Sequence, residues 1–323
     1  MRRSAFGALA VAFSVMLPVT AHAADFNPNG PVEAKYVSTG PYAVSRATTG
    51  EACDREGNLC DLFYPAELDA RTKAKARDRR FPVVAWANGT GQNAKNYEHF
   101  LRHIASWGFV VVSAQDGGSG DGGTTTDAAN YLLRQAGSKG SPFYGAVEGT
   151  RVGVAGHSQG GASVISLFAH QRGPFTAYVA IHPSPFFFSA SCCDLVTGLP
   201  APLPDDLSGG KEGAILYLNS IGDGGADDTR GMYDRTPDSA IKAFGVLTNA
   251  DHDDVMGAPD CSNVESGRCV TGAYGYMGYG TAWLAWHLQD DPAAPAAFDR
   301  TSGEFVAPDD DWTSNSTNVA VGS

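Results

Sequence analysis

The chain predicts an α/β domain with a mostly parallel central sheet flanked by helices on both faces. Three observations carry that prediction. From Phe81 onward, apolar runs of strand length alternate with helix-patterned segments, the rhythm of βαβ units. The runs are continuously apolar rather than alternating, as strands covered on both faces require. A tight, glycine-bounded turn, Gly156-His157-Ser158-Gln159-Gly160, joins one such run to one such helix.

Taken in order, residues 1–23 form a secretory signal: Arg2 and Arg3 lead, Ala5 to Leu17 is apolar, and Ala21-His22-Ala23 is a small-x-small cleavage site. Arg2-Arg3 with Phe6 only faintly suggests a twin-arginine signal, and the apolar run is too short to span a bilayer. Residues 24–289 are expected to form one catalytic domain. Pro31 to Pro65, rich in Val, Tyr and Thr, predicts an antiparallel entry of short strands, and Asp69 to Arg80 an exposed connection. Strands are predicted at 81–87, 109–114, 151–155, 177–182, 214–219 and 241–247. Helices are predicted at 97–107, 125–136, from Ala162, and at 279–288. Residues 290–323, acidic and rich in Pro, Ser and Asn, read as a loosely packed tail.

The formal charge of −12 argues against nucleic acid and anionic membranes as partners. Six cysteines in an exported chain read as a disulfide framework with about 15 possible pairings. Cys53 with Cys60 and Cys261 with Cys269 could each close a small local loop, whereas Cys192-Cys193 is adjacent and could pair within itself or elsewhere. No paired C-x-x-C motifs exist to build a structural zinc site. The acid clusters Asp227-Asp228, Asp253-Asp254 and Asp309-Asp310-Asp311 raise the possibility of calcium, although such runs are ordinarily solvated.

G-x-S-x-G between a strand and a helix is the nucleophile elbow of the α/β-hydrolase fold. Its serine needs strained backbone, and its glycines let strand and helix approach. Ser158 is therefore the candidate nucleophile. In this fold acid and base follow in chain order, each beyond the carboxyl end of a strand. Asp223 lies just beyond 214–219, with Asp227 and Asp228 as competitors, and His252 lies five residues beyond 241–247. His182, at the end of a strand, is the rival base. The oxyanion hole needs two backbone N–H donors, expected from Gln159 and from Thr90 in the Asn88-Gly89-Thr90-Gly91 loop. That loop is not a phosphate cradle, because the Lys-Ser/Thr ending of a P-loop is absent.

Several segments resemble the bacterial cutinase-like polyester hydrolases, the family that includes the poly(ethylene terephthalate) hydrolases. They are Gly40-Pro41-Tyr42-Ala43-Val44, Tyr64-Pro65, Ala105-Ser106-Trp107-Gly108-Phe109-Val110-Val111, Asn249-Ala250-Asp251-His252 and Thr281-Ala282-Trp283-Leu284. The resemblance runs from about Gly40 to Leu288. It implies a secreted serine esterase with no cofactor, an ester or polyester substrate, no nucleic-acid or membrane partner, and a monomer. Thr90 stands where many members carry an aromatic residue, and Ser184 where members acting on aromatic polyesters carry tryptophan. Losing both rings removes a stacking platform for an aromatic acyl group. Ser184 and Phe186, the latter within Phe186-Phe187-Phe188, are the candidate substrate-binding residues, and the stretch from Ser184 to Glu212 is an insertion able to reshape the acyl pocket. A small-ester esterase of acetyl or feruloyl type and a catalytically silent binding protein are the alternatives. A dienelactone hydrolase would carry cysteine at the elbow. Medium and periplasm both remain open as destinations.

Overall fold

The computed structural model describes residues 26–72, 80–184, 206–258, 261–264 and 266–321. The signal, Phe186, Phe187, Phe188 and Cys192-Cys193 lie outside the described residues. Nine strands form one sheet in the order β1-β2-β4-β3-β5-β6-β7-β8-β9. These are β1 (Val44–Thr48), β2 (Cys60–Pro65), β3 (Phe81–Ala87), β4 (Val110–Ala114), β5 (Val147–His157), β6 (Ala177–Ile181), β7 (Ala214–Ser220), β8 (Ile241–Leu247) and β9 (Trp312–Thr317). The strands from β4 to β8 run parallel, while β1, β2 and β9 pair antiparallel at the edges. This is an α/β-hydrolase fold.

The helices are α1 (Pro31–Val37), α2 (Glu98–Ser106), α3 (Gly123–Gly137), α4 (Gln159–Ala169), α5 (Ala226–Arg235) and α6 (Tyr274–Gln289). Side chains alternate across each strand, so β3 sends Val84 and Trp86 to one face and Val83 and Ala85 to the other. The first face packs under α1, α2 and α6, and the second under α3, α4 and α5. Every residue of β3, β4, β6 and β7 is buried, which is why these strands read as unbroken apolar runs.

Two stretches depart from the sequence expectation. Residues 31–37 form a helix rather than a strand, begun by a proline whose fixed φ suits the first helical turn. Residues 294–317 are not loosely packed. Phe298, Phe305 and Trp312 are buried in the main core, and β9 pairs with β8 along the sheet edge. Burying three such rings contributes about 1.5–3 kcal/mol each, enough to dock a segment of otherwise polar composition. Both short cysteine pairs form disulfides, Cys53–Cys60 and Cys261–Cys269.

The acidic residues of this region serve the backbone. Glu304 accepts the N–H groups of Val32 (3.0 Å) and Glu33 (2.7 Å) at the start of α1. Asp309 accepts those of Asp311 and Trp312. Glu33 is fully buried, accepting from Asn29 N–H at 2.6 Å and Trp312 Nε1–H at 2.8 Å. Burial is the main reason its pKa rises from 4.5 to about 8. A carboxyl whose folded pKa is raised stabilises the fold fully below its unfolded pKa, and that contribution is lost as pH climbs through the folded value. Thermal melts of the wild type should therefore fall between pH 4.5 and about 8. Glu33→Gln should flatten that decline, and an equally steep decline in the variant would refute the assignment.

Candidate active site

The elbow follows β5 and opens α4. Ser158 has φ 56° and ψ −118°, a left-handed value that a side chain rarely adopts and that costs on the order of 1–3 kcal/mol. Its N–H is held by Ile181 O at 3.0 Å. The glycines are required by proximity: a Cβ on Gly160 would lie 2.0 Å from Ala87 O. Any larger residue there would push α4 off β3. Gln159 heads α4, so its N–H is among the first-turn donors with no acceptor inside the helix.

The loop after β3 is pinned on all sides. Asn88 donates through Nδ2 to Ala114 O (2.8 Å) and Asp116 Oδ1 (3.1 Å), and its carbonyl accepts Ser119 Oγ–H at 2.7 Å. Gly91 N–H goes to Gly117 O and Gln92 N–H to Gly89 O. Among the described residues the Thr90 N–H has no acceptor, and Thr90 Oγ1 is buried without a partner. A rigid loop with one spare donor, beside a helix N-terminus with another, is what a developing oxyanion needs.

Asp223 and His252 arrive on loops after β7 and β8. Those loops are zipped together by Ile221 N–H to Leu247 O and Gly222 N–H to Ala250 O. Gly222 permits this approach, since a Cβ there would lie 2.6 Å from Ala250 O. His252 Nδ1 is 2.5 Å from Asp223 Oδ1, and both groups are nearly inaccessible. The competitors Asp227 and Asp228 stand exposed in the first turn of α5. Burial would raise the Asp223 pKa, but its close contacts and charge interactions with His182 and His252 outweigh it. The carboxyl is held well below the usual range and stays ionised.

Tyr97 and Arg268, which the sequence did not single out, join the surroundings of these groups. Gly89 N–H donates to Tyr97 Oη (3.1 Å), Tyr97 Oη lies 3.1 Å from His157 Nδ1, and His157 Nε2 lies 2.8 Å from His252 O. Since a carbonyl only accepts, His157 carries its proton on Nε2 and accepts from Tyr97 through Nδ1. Burial, and then the charges of His252 and His182, push its pKa well down, keeping the ring neutral. One relay thus ties the loop after β3, the turn at Ser158 and the loop after β8 together. Arg268 Nη2 lies 3.4 Å from Asp223 Oδ1 at the rim, on the loop closed by Cys261–Cys269. Ser184 is buried just past β6.

The ligand-type atoms of His182, Asp223 and His252 lie within 4.8 Å of one another. The 2.5 Å contact of Asp223 with His252 is a hydrogen bond, closer than two ligands about 2 Å from a shared zinc ion could sit. Asp254, from another acid cluster, accepts the N–H groups of Asp251, Val270 and Thr271, so its oxygens are engaged within the chain.

Comparison with known proteins gives the same picture. The PET hydrolase-like family matches residues 20–191, more than half of the chain. The cutinase est1 of Thermobifida alba is 26% identical over 266 residues, 78% of this chain and 73% of its own. The cutinase of Thermobifida fusca (strain YX) is 24% identical over 302 residues, covering 89% and 84% respectively. β5, the turn at Ser158 and the loop after β3 all fall inside the family match, and the chain belongs to the PET hydrolase-like family.

Proposed function

We propose that this ester hydrolase is a secreted serine esterase of cutinase or polyesterase type, working through Ser158, His252 and Asp223. The observation that carries the reading is the buried Asp223–His252 pair on zipped loops, at the same sheet end as the left-handed Ser158. In the first half-reaction Ser158 Oγ attacks the ester carbonyl carbon while His252 Nε2 takes its proton. The tetrahedral oxyanion is held by the N–H groups of Gln159 and Thr90. Collapse breaks the bond to the alcohol, which leaves with the proton from His252. Water, deprotonated by His252, then attacks the acyl-enzyme, and the acid departs as Ser158 regains its proton. Asp223 holds the His252 proton on Nδ1 throughout, leaving Nε2 free to act as base. No step requires a cofactor.

A second reading, an esterase of small soluble esters, is favoured by Thr90 and Ser184 standing where aromatic side chains would clamp a polymer. The two readings separate on a p-nitrophenyl ester chain-length series run beside an aliphatic polyester film, with Ser158→Ala as control. Film erosion with short- to medium-chain turnover supports the polyesterase. Turnover of acetyl esters alone supports the small-ester enzyme, and no turnover at all would sink both in favour of a silent binding protein.

A further inference from the structure

Asp223 has two carboxylate oxygens, and only one faces His252. The other, Oδ2, lies 3.3 Å from Nδ1 of His182, a fully buried ring at the end of β6. The direction of this contact falls short of a hydrogen bond, and this buried Nδ1 has no other partner among the described residues. His182 Nε2 in turn lies 2.5 Å from the Tyr276 hydroxyl. Ser220 Oγ, on the neighbouring β7, accepts the Asp223 N–H at 3.4 Å. The rings of His182 and His252 meet edge to face, 5.3 Å between centroids.

The donor and acceptor inventory fixes the direction of these contacts. An ionised carboxylate only accepts, so His182 must carry its proton on Nδ1 for the approach to be attractive. Nε2 is then an acceptor, and the Tyr276 O–H fills it. The Asp223 amide is held separately by Ser220 Oγ, so both the backbone and the second oxygen of the acid meet neighbours beside β7.

The backbone supports a positioning role rather than ordinary packing. His182 has φ 46°, left-handed for a residue with a side chain, in a strand terminus whose N–H is fixed to Leu218 O at 2.8 Å. Such a conformation persists where its surroundings demand it, and it is this turn that carries the ring back toward Asp223.

We propose that His182 is a positioning residue that holds the second oxygen of Asp223, so that the acid presents its first oxygen to His252 in one orientation. The proposal rests on the Ser158–His252–Asp223 reading. It makes His182 a partner of the acid and not an alternative base.

The test compares His182→Phe, His182→Asn and Tyr276→Phe with the wild type on one soluble p-nitrophenyl ester, after circular dichroism and melting confirm each fold. His182→Phe removes the donor and should lower kcat about ten- to hundredfold with KM within about twofold, as expected when a buried acceptor loses its partner. His182→Asn keeps a donor and tolerates left-handed backbone, so it should recover kcat to within about threefold of wild type. Tyr276→Phe deletes one hydroxyl, frees the His182 tautomer, and should lower kcat several-fold, with little further loss when combined with His182→Phe. The low-field proton resonance of His252 Nδ1–H should move in His182→Phe, which simple loss of packing would not cause. If His182→Phe does not fold, His182→Asn and Tyr276→Phe decide. Wild-type kcat in the folded Phe variants, or equal losses in His182→Phe and His182→Asn with the resonance unmoved, would overturn the proposal. Activity surviving in Ser158→Ala would instead overturn the triad reading beneath it.

Discussion

Ser158→Ala should remove ester turnover, lowering kcat by about 10⁴- to 10⁶-fold. The reason is local. The alanine still fits the elbow, because the backbone bond to Ile181 O and the close approach of Gly160 to β3 are unchanged. In the proposed mechanism, what is lost is the oxygen that forms the acyl-enzyme. The N–H groups of Gln159 and Thr90 would still polarise a bound carbonyl, so a residual rate above that of water is expected. A burst assay with a p-nitrophenyl ester measures the acyl-enzyme directly, and the burst should vanish. A fluorophosphonate probe should label the wild type at Ser158 and leave the variant bare. Full activity in the variant would refute the mechanism.

Asp223→Asn is the second large effect, about 10⁴-fold in kcat. His252 must keep its proton on Nδ1 for Nε2 to act as base, and the carboxylate at 2.5 Å enforces that tautomer. An amide cannot replace it cleanly. Each oxygen of Asp223 faces a histidine nitrogen, His252 on one side and His182 on the other. Whichever way the amide flips, its NH₂ confronts one of them. Asp227→Asn and Asp228→Asn, both exposed on α5, should stay within about twofold of wild type, because exposed side chains away from the acid do not touch the base. Equal losses at Asp223 and Asp227 would mean the acid has been misplaced.

Much of this was legible in the sequence, and the reason is periodicity. Strands buried on both faces leave continuous apolar runs, so β3 and β8 were readable to their end residues and β7 to within one. The left-handed turn at Ser158 was legible because its geometry demands glycine neighbours. The meeting of His252 with Asp223 was legible because both follow adjacent strands, β8 and β7. The signal for α1 was present in Pro31 at its first turn, but seven residues are too few to display a helical period against β-rich neighbours. The short, polar α5 carries little apolar pattern. In the last segment Phe298, Phe305 and Trp312 are isolated among polar residues, and only the tertiary core explains them. His182 could be ranked as a rival base but not paired with Asp223. Their meeting depends on β6 and β7 lying side by side and on a left-handed turn that no residue type announces.

The packing of α1 sets the order in which this molecule can be finished. Asn27 bonds Asp311 across 284 positions of the chain, and Trp312 bonds Glu33 across 279. Contacts of such sequence separation form late, because the closure entropy of the whole intervening chain precedes them. During synthesis α1 emerges early, yet Glu304 and Trp312 follow it by 271 to 279 residues. Tyr36 can meet Trp107 and His103 beside α2 early, but the bonds of Val32 and Glu33 to Glu304 and Trp312 must wait while the central strands assemble. The sheet edge at β8 stays open over the same interval, until β9 arrives. An early helix and a late sheet edge are thus completed by one segment, residues 304–317.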